Sequence, residues 1–288
     1  MRILAAIGLA LVCAACGGDD GSVERPLVFG GARPVELQIP TDFDGARTYP
    51  LLIILHGYSV NGYIQQSYFR LFDAATTYQM LVLAPEGTKD SGDKQFWNAD
   101  PACCNLEGSD VDDVAYLGGV IDDVMATWPV DPARVMLIGH SNGAFMAYRM
   151  ACDRADVVTA IAGLAGHAAA DGVACAPSRP VDILHMHGTA DDEVPYQSGT
   201  FFGVTSPGAV DSVAQWAAHN GCAGAPTAAG HKDLDSTVAG DETAVMITGG
   251  CPASGAAELW TIEGANHIPT PSPTFSTDIM AWLVAHPR

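Results

Sequence analysis

The residues best suited to chemistry lie in one short segment, Gly139-His140-Ser141-Asn142-Gly143. An aliphatic, β-branched run precedes this segment, and good helix formers follow it. This context lets a G-x-S-x-G motif act as a nucleophile elbow, a strained turn that lifts a serine hydroxyl above a parallel sheet. The following helix would aim free N–H groups and the positive end of its dipole at the site. The segment therefore predicts Ser141 as a nucleophile, with His140 beside it as a substrate-binding candidate.

A serine hydroxyl becomes a good nucleophile only when a base takes its proton and an acid orients that base. In doubly wound hydrolases the acid and then a histidine follow the serine, each in a loop after the carboxyl end of a strand. The apolar run 181–187 leads into Asp191-Asp192-Glu193, and the run 257–262 leads into His267. His267 is therefore the predicted base, and the spacing alone leaves three consecutive acidic residues as candidates for the acid.

The elements that must position these residues alternate along the chain. Apolar runs predict buried strands at 51–56, 80–84, 135–140, 157–164, 181–187 and 257–262, and helical patterns occupy 65–78, 111–128, 211–220 and 274–285. This alternation predicts an α/β fold with a doubly wound, mostly parallel sheet and helices on both faces. Since only a short loop fits between residues 164 and 181, we expect no large lid domain. One catalytic domain is predicted over 35–288.

From Leu51 onward the chain resembles the secreted polyhydroxybutyrate-depolymerase and feruloyl-esterase group of α/β-hydrolases (carbohydrate esterase family one). The matching pieces are Leu55-His56-Gly57-Tyr58, Trp97-Asn98-Ala99 with Cys103-Cys104, Val111-Asp112-Asp113-Val114, Gly139-His140-Ser141-Asn142-Gly143-Ala144, His187-Gly188-Thr189-Ala190-Asp191 with Val194-Pro195-Tyr196, and Gly264-Ala265-Asn266-His267. The resemblance implies the α/β-hydrolase fold and a serine esterase. The chain departs from the family at Ala265-Asn266, where glycines are usual, and at Ile268, where an aromatic residue is frequent.

The resemblance also assigns roles to individual residues. The family's acid is the first aspartate after His-Gly-Thr-Ala, which is Asp191 here, with Asp192 as the alternative. An oxyanion hole needs two backbone N–H groups; one is expected from Asn142, which follows the nucleophile, and the resemblance gives the other to Tyr58. It also places Trp97 beside the pocket, where the ring could face an acyl group or simply pack in the core.

Residues 1–16 have the pattern of a signal peptide, with Arg2, an apolar run from 3 to 12, and a small-residue cleavage site ending at Cys16. The leader resembles those of bacterial lipoproteins, which implies lipidation of Cys16 and attachment to the outer face of a membrane. Plain secretion is the alternative. Residues 17–34 are predicted to form a flexible tether and an irregular lead-in.

Six further cysteines form an even set, which in an exported chain predicts disulfides. Sequence neighbours suggest Cys152–Cys175 and Cys222–Cys251, which leaves Cys103 and Cys104 as a vicinal pair. No C-x-x-C or H-x₃-H spacing supports zinc as the rival interpretation. We predict no metal and no organic cofactor.

Thirteen basic and 33 acidic residues give a formal net charge of −20, and such a surface repels nucleic acid. Together these patterns predict an extracytoplasmic serine esterase, similar to a depolymerase or to a feruloyl esterase, acting on bulky or polymeric carboxylic esters. Two alternatives remain open. The same three residues could serve a serine peptidase, or the chain could be a binding lipoprotein that does no catalysis.

Overall fold

A computed structural model describes residues 25–201 and 203–288. Its strands, in chain order, are β1 (Val28–Phe29), β2 (Val35–Glu36), β3 (Tyr49–Leu55), β4 (Leu81–Leu83), β5 (Thr88–Lys89), β6 (Gln95–Phe96), β7 (Val130–His140), β8 (Ala160–Leu164), β9 (Asp182–Gly188), β10 (Gly199–Phe201), β11 (Val204–Ser206), β12 (Pro226–Lys232), β13 (Thr243–Thr248) and β14 (Ala257–Ile262). Its helices are α1 (Gly62–Tyr68), α2 (Ala74–Thr77), α3 (Asp113–Thr127), α4 (Asn142–Asp153), α5 (Ala209–Asn220) and α6 (Phe275–Ala285).

Eight of these strands form one sheet in the order β12-β13-β14-β9-β8-β7-β3-β4. Neighbouring strands from β14 to β4 are parallel, whereas β13 and β12 are antiparallel additions at one edge. The predicted mostly parallel sheet is therefore confirmed. Because parallel strands end at the same edge, the loops after β3, β7, β9 and β14 open at one side of the molecule, where ligands bind in such sheets.

Apolar side chains are buried on both faces of the sheet. In β3 the alternating residues Leu51, Ile53 and Leu55 belong to one cluster, and Leu52 and Ile54 belong to the other. The first cluster includes side chains from α3, α4 and α5, and the second includes side chains from α2 and α6, with Tyr68 of α1 packed against it. A strand buried on both faces reads as a continuous apolar run, which is why the sequence pattern of β3 could be recognised.

Some predicted elements differ from the structure. The lead-in predicted as irregular holds β1, which pairs with β2, and buries Phe29 against the core. The helical run 65–78 is divided into α1 and α2, because Arg70 adopts a left-handed φ of +53° that ends the first helix. The segment between α5 and β14, for which nothing was predicted, contains β12 and β13.

Both disulfides suggested by the sequence, Cys152–Cys175 and Cys222–Cys251, are formed, and the vicinal pair Cys103 and Cys104 is joined as well. In the part of the chain that the structure describes, no helix is both long and apolar enough to cross a bilayer. The predicted signal peptide, Cys16 and residues 17–24 of the predicted tether lie outside the described residues.

Candidate active site

The turn between β7 and α4 holds Ser141 in a conformation that few residues adopt. Its φ of +54° and ψ of −123° are strained for a residue with a Cβ, and such strain is typical of functional turns. Its N–H donates to the carbonyl oxygen of Leu164 at 2.8 Å, which anchors the turn to β8. A Cβ added at Gly139 or at Gly143 would lie 2.2 Å from a backbone oxygen. Only glycine therefore permits this close crossing of strand and helix.

The structure brings Ser141, His267 and Asp191 into one hydrogen-bonded row. The Oγ atom of Ser141 lies 2.9 Å from Nε2 of His267, and Nδ1 of His267 lies 2.8 Å from Oδ2 of Asp191. Ser141 follows β7, Asp191 follows β9 and His267 follows β14, so three loops at one sheet edge supply them. The separation of nucleophile, base and acid is within hydrogen-bonding reach, as acyl transfer through a serine requires.

Asp191 is buried and accepts hydrogen bonds on both carboxylate oxygens. Its Oδ1 accepts from the N–H groups of Val194 at 2.8 Å and Glu193 at 3.0 Å, and its Oδ2 lies 3.2 Å from Nε2 of His187. Burial alone would raise the pKa of Asp191, but the hydrogen bonds from His187, His267 and Val194 outweigh burial and hold that pKa well below its usual value. Asp192 is exposed, so the geometry favours Asp191 over Asp192 as the acid.

The loop after β3 leaves one N–H group available at the site. Gly57 N–H donates to the side chain of Gln65 at 3.1 Å, and Ser59 N–H donates to the carbonyl oxygen of Gln95 at 2.8 Å. The N–H of Tyr58 lies between these two and donates to no acceptor among the described residues. The same holds for the N–H of Asn142 at the start of α4. Both N–H groups are therefore available to an oxyanion, and the oxyanion-hole role of Tyr58 and Asn142 stays a prediction.

The structure contradicts the prediction that Trp97 binds the substrate, and it shows the alternative, a tryptophan packed in the core. Its side chain has 0% exposed surface, so it does not line the cleft and cannot touch a substrate in this arrangement. Instead, its indole N–H donates to the carbonyl oxygen of His56 at 3.0 Å, and its backbone N–H and C=O pair with the side-chain amide of Asn142 at 2.7 and 3.0 Å. Trp97 thus ties together the two segments that carry the free N–H groups.

His140 lies in the wall of the cleft next to the nucleophile. Its Nε2 lies 2.9 Å from the carbonyl oxygen of His267, which can only accept, so Nε2 carries a proton. Burial, followed by the nearby ring of His267, lowers the pKa of His140 to about 4. A neutral His140 therefore fixes the backbone of the loop that carries the predicted base.

A cleft of about 220 Å³ opens beside Ser141 and His267. Its remaining wall is mostly apolar or aromatic and contains Tyr58, Val60, Ile64, Tyr68 and Ile268. One carboxylate stands at this wall: Oε2 of Glu193 lies 4.0 Å from Nε2 of His267, and its side chain is 67% exposed. Within the described residues, no group of three or more His, Cys, Asp or Glu side chains is arranged to hold a metal ion.

Two supporting residues were not recognised from the sequence as parts of the site. The sequence placed His187 on the strand before the acid loop without linking it to Asp191, and gave Gln65 no role. The ring of His187 contacts the carboxylate of Asp191, and Gln65 holds the loop after β3. A spacing of four residues across a strand–turn boundary was the available signal for His187. Gln65 gave no signal beyond its position in a helical run.

Residues 28–238, more than half of the 288-residue chain, match the family described as "Putative esterase". Feruloyl esterase B of Piromyces equi is 33% identical over 202 residues, which cover 67% of this chain and 37% of that protein. Feruloyl esterase C of Emericella nidulans is 27% identical over 194 residues, which cover 63% of this chain and 65% of that protein. The chain thus spans only part of the length of these relatives.

Among solved structures, the acetyl xylan esterase from Aspergillus awamori superposes with a TM-score of 0.58 and 12% sequence identity, over 87% of this chain and 93% of that one. At this identity the likeness concerns the fold alone, and it identifies the sheet as that of an α/β-hydrolase. With the family match extending from β1 beyond β12, the chain belongs to the esterase family of α/β-hydrolases.

Proposed function

We propose that this chain is a serine hydrolase of carboxylic esters that works through an acyl-enzyme. The observation that carries the proposal is the row Ser141–His267–Asp191, with contacts of 2.9 and 2.8 Å at the mouth of an apolar cleft. The family match supports ester substrates. Each of the three residues has a role that follows from its contacts.

In the acylation step, Oγ of Ser141 attacks the ester carbonyl while Nε2 of His267 takes its proton. Asp191, which accepts from Nδ1, keeps Nε2 free to receive that proton and stabilises the imidazolium that forms. The carbonyl oxygen becomes an oxyanion, to which the N–H groups of Tyr58 and Asn142 donate. His267 then gives its proton to the alcohol oxygen as the carbon–oxygen bond breaks, and the alcohol leaves.

Deacylation repeats these steps with water as the nucleophile. His267 takes a proton from the water, the resulting hydroxide attacks the acyl carbonyl, and the proton passes to Oγ of Ser141 as the acid is released. Each elementary proton transfer is expected to be worth about 10²- to 10⁴-fold in rate. Neither step needs a group beyond these side chains and water.

The substrate class that we favour is a bulky aromatic or polymer-linked ester. The mostly apolar wall of the cleft suits a substituted aromatic acyl group, to which Tyr58, Tyr68, Ile64 and Ile268 offer contacts. Relatives named feruloyl esterase agree with this choice over hydroxyalkanoate oligomers. The Glu193 carboxylate near His267 disfavours acyl groups that carry a negative charge close to the reacting carbon.

We also propose that the enzyme acts outside the cytoplasm. Three disulfides within the domain suit an oxidising compartment. The leader pattern ending at Cys16 suits export with lipid attachment to the outer face of a membrane. Metabolic labelling with a palmitate analogue in a bacterial host tests the attachment, with Cys16→Ala as the matched control.

The activity is tested by comparing wild type with Ser141→Ala on methyl ferulate, p-nitrophenyl esters of rising chain length, hydroxybutyrate oligomers and a peptide amide. We expect methyl ferulate to be turned over and the variant to lose at least about 10³-fold in kcat. Preference for the peptide amide would favour the peptidase alternative. Absence of turnover on every ester would favour a binding lipoprotein and contradict the proposal.

A further inference from the structure

Behind Asp191, on the side away from His267, lies a second hydrogen-bonded row that the proposed mechanism does not use. It consists of His187 and His185 on β9 and Tyr148 on α4, and each side chain is buried, with at most 3% of its surface exposed. Tyr148 Oη lies 2.7 Å from Nδ1 of His185, and Nε2 of His185 lies 3.1 Å from Nδ1 of His187. The row ends where Nε2 of His187 meets Oδ2 of Asp191 at 3.2 Å.

The partners of His187 fix the direction of this row. Its Nε2 faces two acceptors, the carbonyl oxygen of Val194 at 2.8 Å and the carboxylate of Asp191, so Nε2 must carry a proton. In a neutral ring Nδ1 of His187 then accepts, and it accepts from Nε2–H of His185. His185 in turn accepts at Nδ1, where the Tyr148 hydroxyl donates. Every member therefore donates toward Asp191.

The surroundings keep the inner members of the row neutral. Burial, followed by the rings of His187 and His167, lowers the pKa of His185 well below its usual value, and burial raises the pKa of the Tyr148 hydroxyl. His167 stacks on His187 with ring centroids 5.3 Å apart and is held at Ser206 Oγ by a 2.7 Å hydrogen bond. Polar groups buried this deeply are costly unless each is paired, and an apolar packing would avoid that cost.

We propose that His187, oriented by His185 and Tyr148, is a positioning residue that holds the Asp191 carboxylate for His267. This inference rests on the proposed serine-esterase function and deepens it. His267 donates to Oδ2 at 2.8 Å, and Nε2–H of His187, which donates to the Val194 carbonyl, lies 3.2 Å from the same oxygen. This second N–H keeps the carboxylate plane turned toward His267, and its positive end stabilises the negative charge of Oδ2.

Loss of that donor has a consequence that packing alone would not have. A less stabilised Asp191 carboxylate attracts the proton that His267 takes up more strongly, so the acidic limb of the rate profile moves to higher pH. The other titratable groups that face this site are His140, at 5.0 Å between ring centroids, and Glu193, at 4.0 Å from Nε2 of His267. Both are retained in every variant below.

The test uses the full-length enzyme with methyl ferulate as substrate and compares His187→Leu with His187→Gln. Both replacements fill space at β9, but only glutamine has N–H groups that reach both the Val194 carbonyl and Asp191. We expect His187→Leu to lower kcat about tenfold, with KM within about twofold because Asp191 lies outside the cleft wall. The acidic limb should move up in pH, and His187→Gln should recover most of kcat and the wild-type limb.

Tyr148→Phe provides a second test that removes a single oxygen from the far end of the row. We expect kcat to fall about two- to threefold, with KM unchanged and the acidic limb moved in the same direction as in His187→Leu. This variant decides the matter if His187→Leu is not recovered as folded protein. Thermal unfolding of each variant gives the check on folding.

Three results would overturn the proposal. The first is a His187→Leu enzyme whose kcat and acidic limb equal those of wild type. The second is a Tyr148→Phe enzyme whose kcat and acidic limb equal those of wild type. The third is a His187→Gln enzyme that is as stable as wild type but has the low kcat of His187→Leu. A Ser141→Ala enzyme that keeps wild-type turnover would instead refute the proposed function. The two failures are therefore distinguishable in one set of measurements.

Discussion

Replacing Asp191 by asparagine should nearly abolish turnover without removing the side chain. Oδ1 accepts from two backbone N–H groups, those of Glu193 and Val194, whereas Oδ2 accepts from His267 and faces Nε2–H of His187 at 3.2 Å. An amide has one acceptor oxygen. Because backbone N–H groups cannot change, the amide oxygen must stay with them, and the NH₂ group then faces the two histidine rings.

An NH₂ group facing Nδ1 of His267 makes that nitrogen the acceptor, so the ring's proton moves to Nε2. Nε2–H then points at Ser141 Oγ, 2.9 Å away, and can no longer take its proton. We expect kcat to fall by about 10³- to 10⁴-fold, the effect of holding a catalytic histidine in the wrong tautomer. KM should change little, since Asp191 does not line the cleft.

The assay is steady-state hydrolysis of methyl ferulate, with Asp192→Asn as the matched control. Asp192 is the exposed neighbour in sequence and the alternative acid, so its amide variant should keep wild-type kcat. The reasoning would be refuted if Asp191→Asn kept more than about a tenth of wild-type kcat, or if Asp192→Asn lost as much as Asp191→Asn did.

Three further predictions concern the frame of the site. Gly143→Ala should lower the free energy of unfolding by about 1–3 kcal/mol, because the added Cβ would lie 2.2 Å from a carbonyl oxygen, whereas Gly119→Ala, with open space around its Cβ, should be neutral or stabilising in chemical denaturation. Trp97→Phe removes a buried N–H donor and should cost about 1–3 kcal/mol and lower kcat, measured by denaturation and turnover; unchanged values would contradict its supporting role. The free energy of unfolding should be constant above about pH 7 and should decrease from about pH 6.5 toward pH 4. The decrease is up to about 1.4 kcal/mol per pH unit for each proton that only the unfolded chain takes up. The groups responsible are three buried histidines. Burial lowers the pKa of His56 and of His140 to about 4, and that of His167 to about 3. A flat stability profile over pH 4–7 would contradict this assignment.

The meeting of Ser141, His267 and Asp191 could be predicted because each follows a strand that is buried and therefore apolar. Their order along the chain, combined with parallel strands that end at one edge, leaves little freedom in where they meet. The choice between Asp191 and Asp192 could not be made from spacing. It depends on which side chain the turn after β9 buries, which is set by hydrogen bonds from backbone N–H groups.

The features that could not be predicted from the sequence depend on backbone pairing and on burial by distant segments. The strand β12 is exposed along most of its length and has no apolar alternation, and it is held by its backbone pairing with β13. The burial of Trp97 results from contacts with His56 and Asn142, 41 and 45 residues away in the chain. Local patterns carry no signal for either feature.

The most direct test of the central claim is to find where a fluorophosphonate reacts. After incubation of wild type and Ser141→Ala, intact mass spectrometry and peptide mapping locate the adduct. We predict a single phosphonyl adduct on Ser141 in the wild type, complete loss of methyl ferulate hydrolysis in parallel with its formation, and no adduct in the variant. An unlabelled wild-type protein, or an adduct on any residue other than Ser141, would contradict the account.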